Sequence, residues 1–384
     1  MNILMAAGVP RRREAGAAGI LHHLAREAAV SGHHVSCLFA EDLLESRRFS
    51  GRFADVVFAW RLARYIRANR GKFTVVNIHG PWGFVYGSLR SVSRRGDLPP
   101  FVMTLQCAEE RYAHAMRREA GKGRTAHFRW KNRLWHRAYH LACYRRSIVT
   151  ADHCIVANRE DAAFLQLRYD RDAARVWYIP NGVDARFFVR RCHDARPTRL
   201  LFVGTWLDRK GVYYLVEAFA QVAHSFPDVR LTVAGCLVDA NVVRRGFPES
   251  LRSRVDIEPF ISSSDMPAVY ARHDVFVLPS LVEGMPLSLL EAMASAMPVV
   301  TTATCGMADV VEHEVNGLLV KPADGTRLAA SLARLIDCAE LRGELGRAAQ
   351  ETMKRYTWDR IARQVEHVYR RAVDEPDDEP PVGT

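Results

Sequence analysis

The stretch EGMPLSLLEAMA (Glu283–Ala294) combines a turn, a helix start and two carboxylates eight positions apart. Gly284 gives the backbone after Glu283 more conformational freedom than other residues would. Pro286 suits the first position of a helix, where its fixed φ fits and its missing N–H is no loss. The following amides have no partner inside the helix, so an anion site is predicted at the positive end of its dipole. Glu283 would stand at the mouth of that site, and Glu291 would offer two oxygens to a pair of hydroxyls. A phosphate flanked by hydroxyls is the chemistry of a nucleotide-sugar.

The length and composition indicate two soluble globular domains. A chain of 384 residues is too long for one ordinary core, and 48% hydrophobic and 25% charged residues are typical of globular proteins. No apolar run approaches the ~18 residues of a membrane span. The apolar start, Met1–Gly8, precedes Arg11, which is the reverse of the order in a signal peptide, so a buried first strand is predicted.

The eight cysteines are scattered and include no C-x-x-C pair. This spacing favours free thiols in a reducing, cytoplasmic compartment over a disulfide framework or a zinc site. We therefore expect no bound metal.

The charge is divided unevenly along the chain. Residues 1–190 carry 32 Lys and Arg against 16 Asp and Glu, whereas the remainder carries 22 against 27. The first half is therefore expected to face an acidic partner. Nucleic acid, anionic lipid and phosphorylated acceptors all remain open at this level.

Short apolar strands alternate with helical patterns throughout, which predicts parallel sheets with crossover helices. Two such arrays in series indicate two doubly wound α/β domains, with a ligand at the carboxyl ends of the strands. The predicted strands are Ile3–Ala6, Val35–Phe39, Val75–Ile78, Phe101–Leu105, Cys154–Ala157, Val176–Ile179, Leu200–Val203, Leu231–Ala234, Val275–Leu278, Val299–Thr301 and Leu318–Val320.

The Glu283–Ala294 stretch resembles the E-x7-E signature of the retaining, metal-independent glycosyltransferases of family 4. The resemblance implies the GT-B fold, with two Rossmann-like domains and an active site in the cleft between them. It also implies that Glu291 holds the ribose hydroxyls and that Glu283 contacts the donor sugar. Motifs on either side follow the family order, from Pro279 to Leu318.

The resemblance also predicts the domain organisation. Residues 1–190 would form the acceptor-side domain, and residues 191–357 the nucleotide-sugar donor domain. A helix over 358–373 would cross back to the first domain. The acidic, proline-rich tail, 374–384, is expected to be disordered.

A second segment, LFVGTWLDRKG (Leu201–Gly211), predicts a strand, a glycine turn and a basic pair that opens a helix. Gly204 would let the backbone approach a ligand, and Lys210 would neutralise a diphosphate. The segment resembles the family's G-R-L-x-x-x-K-G sequence, which implies that Lys210 contacts the donor diphosphate. Thr205 stands where the family usually has Arg, and Arg209 is the nearest replacement for that cation.

Three positions in the first half extend the resemblance. The resemblance implies a glycine-containing loop that closes over the donor phosphates, and either Gly16 or Gly19 would face the ligand there. Gln106 stands where the family usually has His, and glutamine can donate and accept hydrogen bonds but cannot act as a general base. His79 follows an earlier strand and is predicted to border the acceptor cleft, although a loop histidine with a purely structural role fits the pattern equally.

Eleven basic residues and one acid lie between Arg111 and Arg146, interleaved with aromatic residues. Such a segment is typical of a membrane-surface helix, and Arg129, Lys131 and Arg133 are its candidate contacts. A solvated helix is the alternative. No RNA- or DNA-reading motif accompanies the charge, so nucleic acid is not a predicted partner.

Together the motifs predict a glycosyltransferase that moves a sugar from a UDP- or GDP-linked donor to a glycan or lipid-linked acceptor at the cytoplasmic face of a membrane. Two alternatives remain: a sugar-nucleotide epimerase of the same fold, and a non-catalytic partner protein. No cofactor is expected. The predicted catalytic residues are Glu283, Lys210 and Gln106. The predicted donor-binding residues are Gly16, Gly204, Thr205, Arg209, Lys210, Met285, Leu287 and Glu291.

Overall fold

The computed structural model describes residues 1–11, 16–44, 54–94, 96–122, 139–189 and 199–374. Within these ranges the chain forms two compact units. The first contains residues 1–109, 139–180 and 358–374, and the second contains 110–122, 181–189 and 199–357. Each unit has its own parallel sheet, which confirms the predicted two-domain α/β architecture.

The first unit is built on a six-stranded sheet in the order β2-β1-β3-β4-β5-β6, with every pair parallel. β1, β3, β4 and β5 are apolar and almost fully buried, as expected where helices cover both faces. The strands are β1 (Asn2–Ala7), β2 (His34–Leu38), β3 (Val75–His79), β4 (Phe101–Leu105), β5 (His153–Val156) and β6 (Val176–Tyr178).

Helices cover the two faces of this sheet. Because β1 lies between β2 and β3, right-handed crossovers put α1 on one face and α3, α4, α6 and α7 on the other. The last helix, α15, packs beside α1, where Trp358 stacks on His23 and Tyr369 accepts a hydrogen bond from Asn77. These helices are α1 (Gly16–Val30), α2 (Ala40–Leu43), α3 (Ala54–Ala68), α4 (Phe84–Val92), α6 (Leu141–Thr150), α7 (Arg159–Tyr169) and α15 (Trp358–Asp374), and α5 (Glu109–Gly121) belongs mainly to the second unit.

The second unit has a six-stranded parallel sheet in the order β12-β11-β10-β7-β8-β9. The sequence analysis missed β9, because its alternating valine, aspartate, isoleucine and glutamate suit an edge strand with one solvated face. The strands are β7 (Arg199–Val203), β8 (Arg230–Ala234), β9 (Val255–Glu258), β10 (Val275–Leu278), β11 (Val299–Thr302) and β12 (Leu318–Val320).

The helices of the second unit connect these strands and bury apolar stripes against the sheet. α8 and α13 pack on each other, and each buries apolar side chains at helical spacing. They are α8 (Val212–Ser225), α9 (Ala240–Arg245), α10 (Met266–Ala271), α11 (Leu287–Ala294), α12 (Cys305–Val310), α13 (Gly325–Asp337) and α14 (Ala339–Met353).

The observed units differ from the predicted domain limits at two places. The prediction kept residues 1–190 together, whereas the contacts assign 110–122 and 181–189 to the second unit. The first segment is attached to the second unit through the buried carboxylate of Glu119. This carboxylate accepts hydrogen bonds from Tyr214 Oη at 2.6 Å and Lys122 Nζ at 2.8 Å. The Tyr214 bond ties the end of α5 to α8.

Three further features hold throughout the described ranges. No helix there is both long and apolar enough to cross a membrane. No group of three His, Cys, Asp or Glu side chains there could hold a metal ion. Each cysteine that the structure describes is a free thiol.

Candidate active site

The strand order of the second sheet creates a natural binding position between β7 and β10. β7 comes first in the chain, β8 and β9 extend the sheet to one side, and β10 to β12 extend it to the other. Ligands of doubly wound proteins bind at the carboxyl ends of the strands where the order reverses. The segment after β7 carries Lys210, and the segment after β10 carries Glu283, so the two motifs singled out in the sequence meet here.

A buried cluster of three charges occupies this position. Glu283 Oε1 accepts hydrogen bonds from Lys210 Nζ and Arg209 Nη1, both at 2.7 Å. Lys210 and Glu283 are each only 7% exposed, whereas the side chain of Arg209 keeps 31% of its surface open to solvent. The cluster carries one more positive charge than negative, so it is suited to receive an anion.

The pKa shifts in the cluster follow from burial and from its charges. Burial alone would raise the pKa of Glu283, but Lys210 and Arg209 outweigh it and hold that pKa below its usual value. Burial lowers the pKa of Lys210, and the repulsion from Arg209 adds to this effect, while Glu283 opposes it. Glu283 is therefore ionised at neutral pH.

Two glycines let the backbone pack tightly around Lys210. A Cβ on Gly204, where φ is +151°, would lie 3.3 Å from Lys210 Cε. A Cβ on Gly211, where φ is +70°, would lie 1.9 Å from the carbonyl oxygen of Pro279. Thr205 follows Gly204 directly, and Arg209, the nearest replacement for the cation that the resemblance expects at that position, reaches Glu283.

The loops that carry these residues are joined to one another through the backbone. Leu281 N donates to Arg209 O at 2.8 Å, and Gly306 N donates to Gly284 O at 2.8 Å. Buried Asn181 donates from Nδ2 to Met285 O at 2.8 Å. The sequence analysis did not assign Asn181 to the site, so this positioning role was missed.

Helix α11 begins at Leu287, one residue later than predicted. Pro286 is the N-cap, with an extended ψ of 121°, rather than the first helical residue. Its carbonyl accepts from Leu289 N at 3.1 Å, so the first-turn amides without an acceptor inside the helix are those of Leu287 and Ser288. Met285 is buried immediately before this turn.

Glu291 lies one turn into α11, and Tyr270 fixes its position. The Tyr270 hydroxyl donates to Glu291 Oε2 at 2.7 Å, and Tyr270 itself is fully buried against Phe187 and Phe276. Burial raises the pKa of Glu291, although the hydrogen bond from Tyr270 opposes the rise. No local sequence pattern pointed to Tyr270, because the tyrosine precedes its partner by 21 residues and lies on another helix.

The remaining predicted site residues lie in the first unit. His79 ends β3, opposite Thr104 of β4, and Gln106 follows two positions after Thr104. His79 is 2% exposed, and neither of its ring nitrogens has a hydrogen-bond partner among the described residues. Burial lowers the pKa of His79 to about 4, so the ring is neutral at physiological pH. Gly16 is the exposed first residue of α1.

The predicted membrane contacts cannot be located. Arg129, Lys131 and Arg133 lie outside the described residues. Between Arg111 and Arg146, the structure describes residues 111–122, of which all but the last lie in α5, and residues 139–146.

Comparison with known proteins agrees with this fold. WaaG, described as a glycosyltransferase involved in lipopolysaccharide biosynthesis, superposes with a TM-score of 0.73 at 18% identity, over 96% of this chain and 99% of that one. The Anabaena protein Alr3699/HepE in complex with UDP gives a TM-score of 0.70 at 18% identity, over 96% and 99% of the two chains. The protein is therefore a two-domain α/β protein of the GT-B fold.

Sequence comparison defines the family. The model described as "Glycosyltransferase Family 4" matches residues 15–187, and the model described as "Glycosyl transferases group 1" matches residues 187–352. The chain belongs to the glycosyltransferases of family 4, as its motifs predicted. A D-inositol 3-phosphate glycosyltransferase of Salinispora tropica is 29% identical over 253 residues, which is 59% of this chain and 52% of that relative. The match therefore spans about half the length of this relative.

Proposed function

We propose that the protein is a retaining glycosyltransferase that uses a UDP- or GDP-linked sugar and needs no metal ion. The observation that carries the proposal is the net positive cluster of Lys210, Arg209 and Glu283 at the β7–β10 position, with Glu291 on the adjoining helix α11. Such a cluster suits a diphosphate, and Glu291 suits the ribose hydroxyls. Family membership and the UDP bound by Alr3699/HepE support the same reading.

In this proposal the donor diphosphate lies against Lys210 and Arg209 and against the first amides of α11, including that of Leu287. These groups stabilise the negative charge that develops on the leaving diphosphate, which is the task that a divalent ion performs in metal-dependent enzymes. Glu283 holds both cations in place before the donor binds and contacts the donor sugar afterwards. Gly204 and Thr205 border the phosphates, and Gly16 is a further candidate for binding them.

The transfer step exchanges one glycosidic bond for another. The bond from the anomeric carbon to the diphosphate oxygen breaks as the bond to the acceptor oxygen forms on the same face of the sugar. The acceptor proton passes to the departing phosphate oxygen, so the protein supplies no nucleophile. Gln106 would hydrogen-bond the transferred sugar, a role that requires no ionisable group.

For the acceptor we propose a lipid-linked saccharide at the cytoplasmic face of a membrane, as in the assembly of surface polysaccharides. The positive charge of the first half of the chain supports an anionic acceptor or surface. His79 is neutral and lies at the end of β3, and its buried ring nitrogens, which have no hydrogen-bond partner among the described residues, suit an acceptor hydroxyl that reaches this position. WaaG, whose fold is shared, is described as acting in lipopolysaccharide biosynthesis.

The test is incubation with a panel of UDP- and GDP-sugars, with and without membrane extract. A glycosyltransferase releases nucleotide only when an acceptor is present, an epimerase returns an altered donor without acceptor, and a non-catalytic protein does neither. Lys210→Ala should abolish the release, whereas Lys321→Ala, which removes an exposed lysine of the same unit, should not. Acceptor-independent turnover, or no turnover with any donor, would refute the proposal.

A further inference from the structure

Three neighbouring helices of the first unit form a strongly basic layer. α3 packs against α4, and α4 packs against α6, on the same face of the sheet. Together they contain six arginines and one acidic residue, Asp55. Arg90 is neutralised by Asp152 at 2.6 Å, and Asp55 accepts a hydrogen bond from Trp82 Nε1 at 2.8 Å. We refer to α3, α4 and α6 together as the arginine layer.

Each helix of the arginine layer also exposes a large apolar side chain. Trp60 of α3 is 54% exposed, Val92 of α4 is 82% exposed and Val149 of α6 is 39% exposed. The guanidinium of Arg64 lies over the Trp60 ring, 5.7 Å from its centroid. Exposed tryptophan beside arginine is a combination suited to the boundary between water and lipid, where the ring lies among the headgroups.

The opposite face of the same unit does not share this excess of positive charge. There the positive and negative charges of α1 and α15 nearly cancel. The two helices contain five arginines (Arg26, Arg360, Arg363, Arg370 and Arg371) and four acids (Glu27, Asp359, Glu366 and Asp374). Ion pairs along α15 join Arg363 to Asp359 at 2.8 Å and Arg370 to Glu366 at 2.6 Å. The acids of α2, which contacts α3, are themselves engaged by Arg11. The positive field therefore belongs to one side of the unit.

We propose that the arginine layer binds the protein to an anionic lipid surface. Arginines attract the phosphate headgroups, and the exposed Trp60, Val92 and Val149 enter the interfacial region, as in amphipathic surface helices. Nucleic acid would match the charge but offers no apolar environment for these side chains. The inference deepens the proposed function, because it names the surface through which the enzyme would approach a lipid-linked acceptor.

The test compares sedimentation of the full-length protein with vesicles of phosphatidylcholine alone and with vesicles that also contain phosphatidylglycerol. Wild type should bind only the anionic vesicles. Arg64→Glu combined with Arg145→Glu should weaken that binding at least tenfold, since each basic residue near the surface contributes about fivefold. Trp60→Ser should also weaken it, and the quenching of tryptophan fluorescence by brominated lipid should be smaller in Trp60→Phe than in wild type.

The matched control is Arg347→Glu combined with Arg360→Glu, which makes the same charge change at exposed positions on α14 and α15. It should leave vesicle binding within about twofold of wild type, and thermal melting checks that all variants fold. An equal loss in this control, binding to neutral vesicles, or tighter binding to RNA or DNA than to vesicles would overturn the inference. UDP and GDP binding, measured by calorimetry on the same variants, is independent of this result, so a failure of the proposed donor site would be seen separately.

Discussion

Replacing Glu283 with glutamine tests the charge cluster most directly. The substitution preserves shape but removes the negative charge that two cations contact at 2.7 Å. Breaking a buried ion pair at one partner costs ~3–5 kcal/mol. Because the Arg209 side chain is 31% exposed and can recover some hydration, we expect a loss near the lower limit, about 3 kcal/mol. For a unit of this size that corresponds to a fall in Tm of roughly 6–12 °C.

The same variant should respond more strongly to ligand than wild type. Without Glu283, Lys210 and Arg209 lose the carboxylate that they share, and a diphosphate can supply negative charge in its place. Saturating UDP or GDP should therefore restore most of the lost stability, although sugar transfer should be abolished. Differential scanning fluorimetry with and without nucleotide measures both effects.

The control for this experiment is Asp256→Asn, which breaks the exposed pair between Asp256 and Arg230 at 2.8 Å. Exposed pairs of this kind contribute ~0.2–1 kcal/mol, so the Tm should hardly change. If Glu283→Gln were as stable as this control, or if nucleotide stabilised it less than wild type, Glu283 would not be the counter-charge of the anion site.

Three other predictions follow from the site. Glu291→Ala should weaken UDP or GDP binding at least roughly tenfold, because a charged hydrogen bond to a bound ligand contributes ~1.5–3 kcal/mol, and unchanged affinity by calorimetry would remove this carboxylate from the site. Turnover should persist in EDTA, and its loss with recovery on adding Mn²⁺ or Mg²⁺ would contradict the metal-independent role of Lys210. The pKa of His79 is lowered from 6.5 to about 4, so stability should be full above pH 6.5 and fall by about 3 kcal/mol as the pH drops to 4, since only the unfolded chain binds the proton. Urea titrations of wild type and His79→Asn should show this pH dependence in wild type alone.

The sequence was sufficient for most of the fold because local patterns determine most of it. Buried parallel strands are continuous apolar runs, and such runs can be recognised in a single sequence. β9 was not predicted because Asp256 and Glu258 interrupt its hydrophobic pattern. An edge strand tolerates such residues, since one of its faces is in contact with solvent. Pro286 was placed one residue too far into α11, since proline is compatible with both the N-cap and the first helical position.

Contacts within the site could be predicted only in part. The sequence identified Lys210 and Glu283 as separate site residues, but their ion pair depends on β7 and β10 being neighbours in the sheet. That adjacency is a property of the strand order and leaves no local pattern. The hydrogen bond from Tyr270 to Glu291 could not be predicted either, because it joins two helices that are separate in the sequence.

The tight backbone packing around Gly211, Gly284 and Gly306 determines which parts of the site a mutation can change. Where main-chain atoms of different loops touch, a mutation can change a neighbouring side chain without moving the frame that holds it. Thr205 is an example, since it stands where the family resemblance expects arginine, and yet the frame keeps Lys210 and Glu283 in contact at 2.7 Å. A backbone frame of this kind therefore tolerates changes in the side chains around it, including changes that would alter which donor fits.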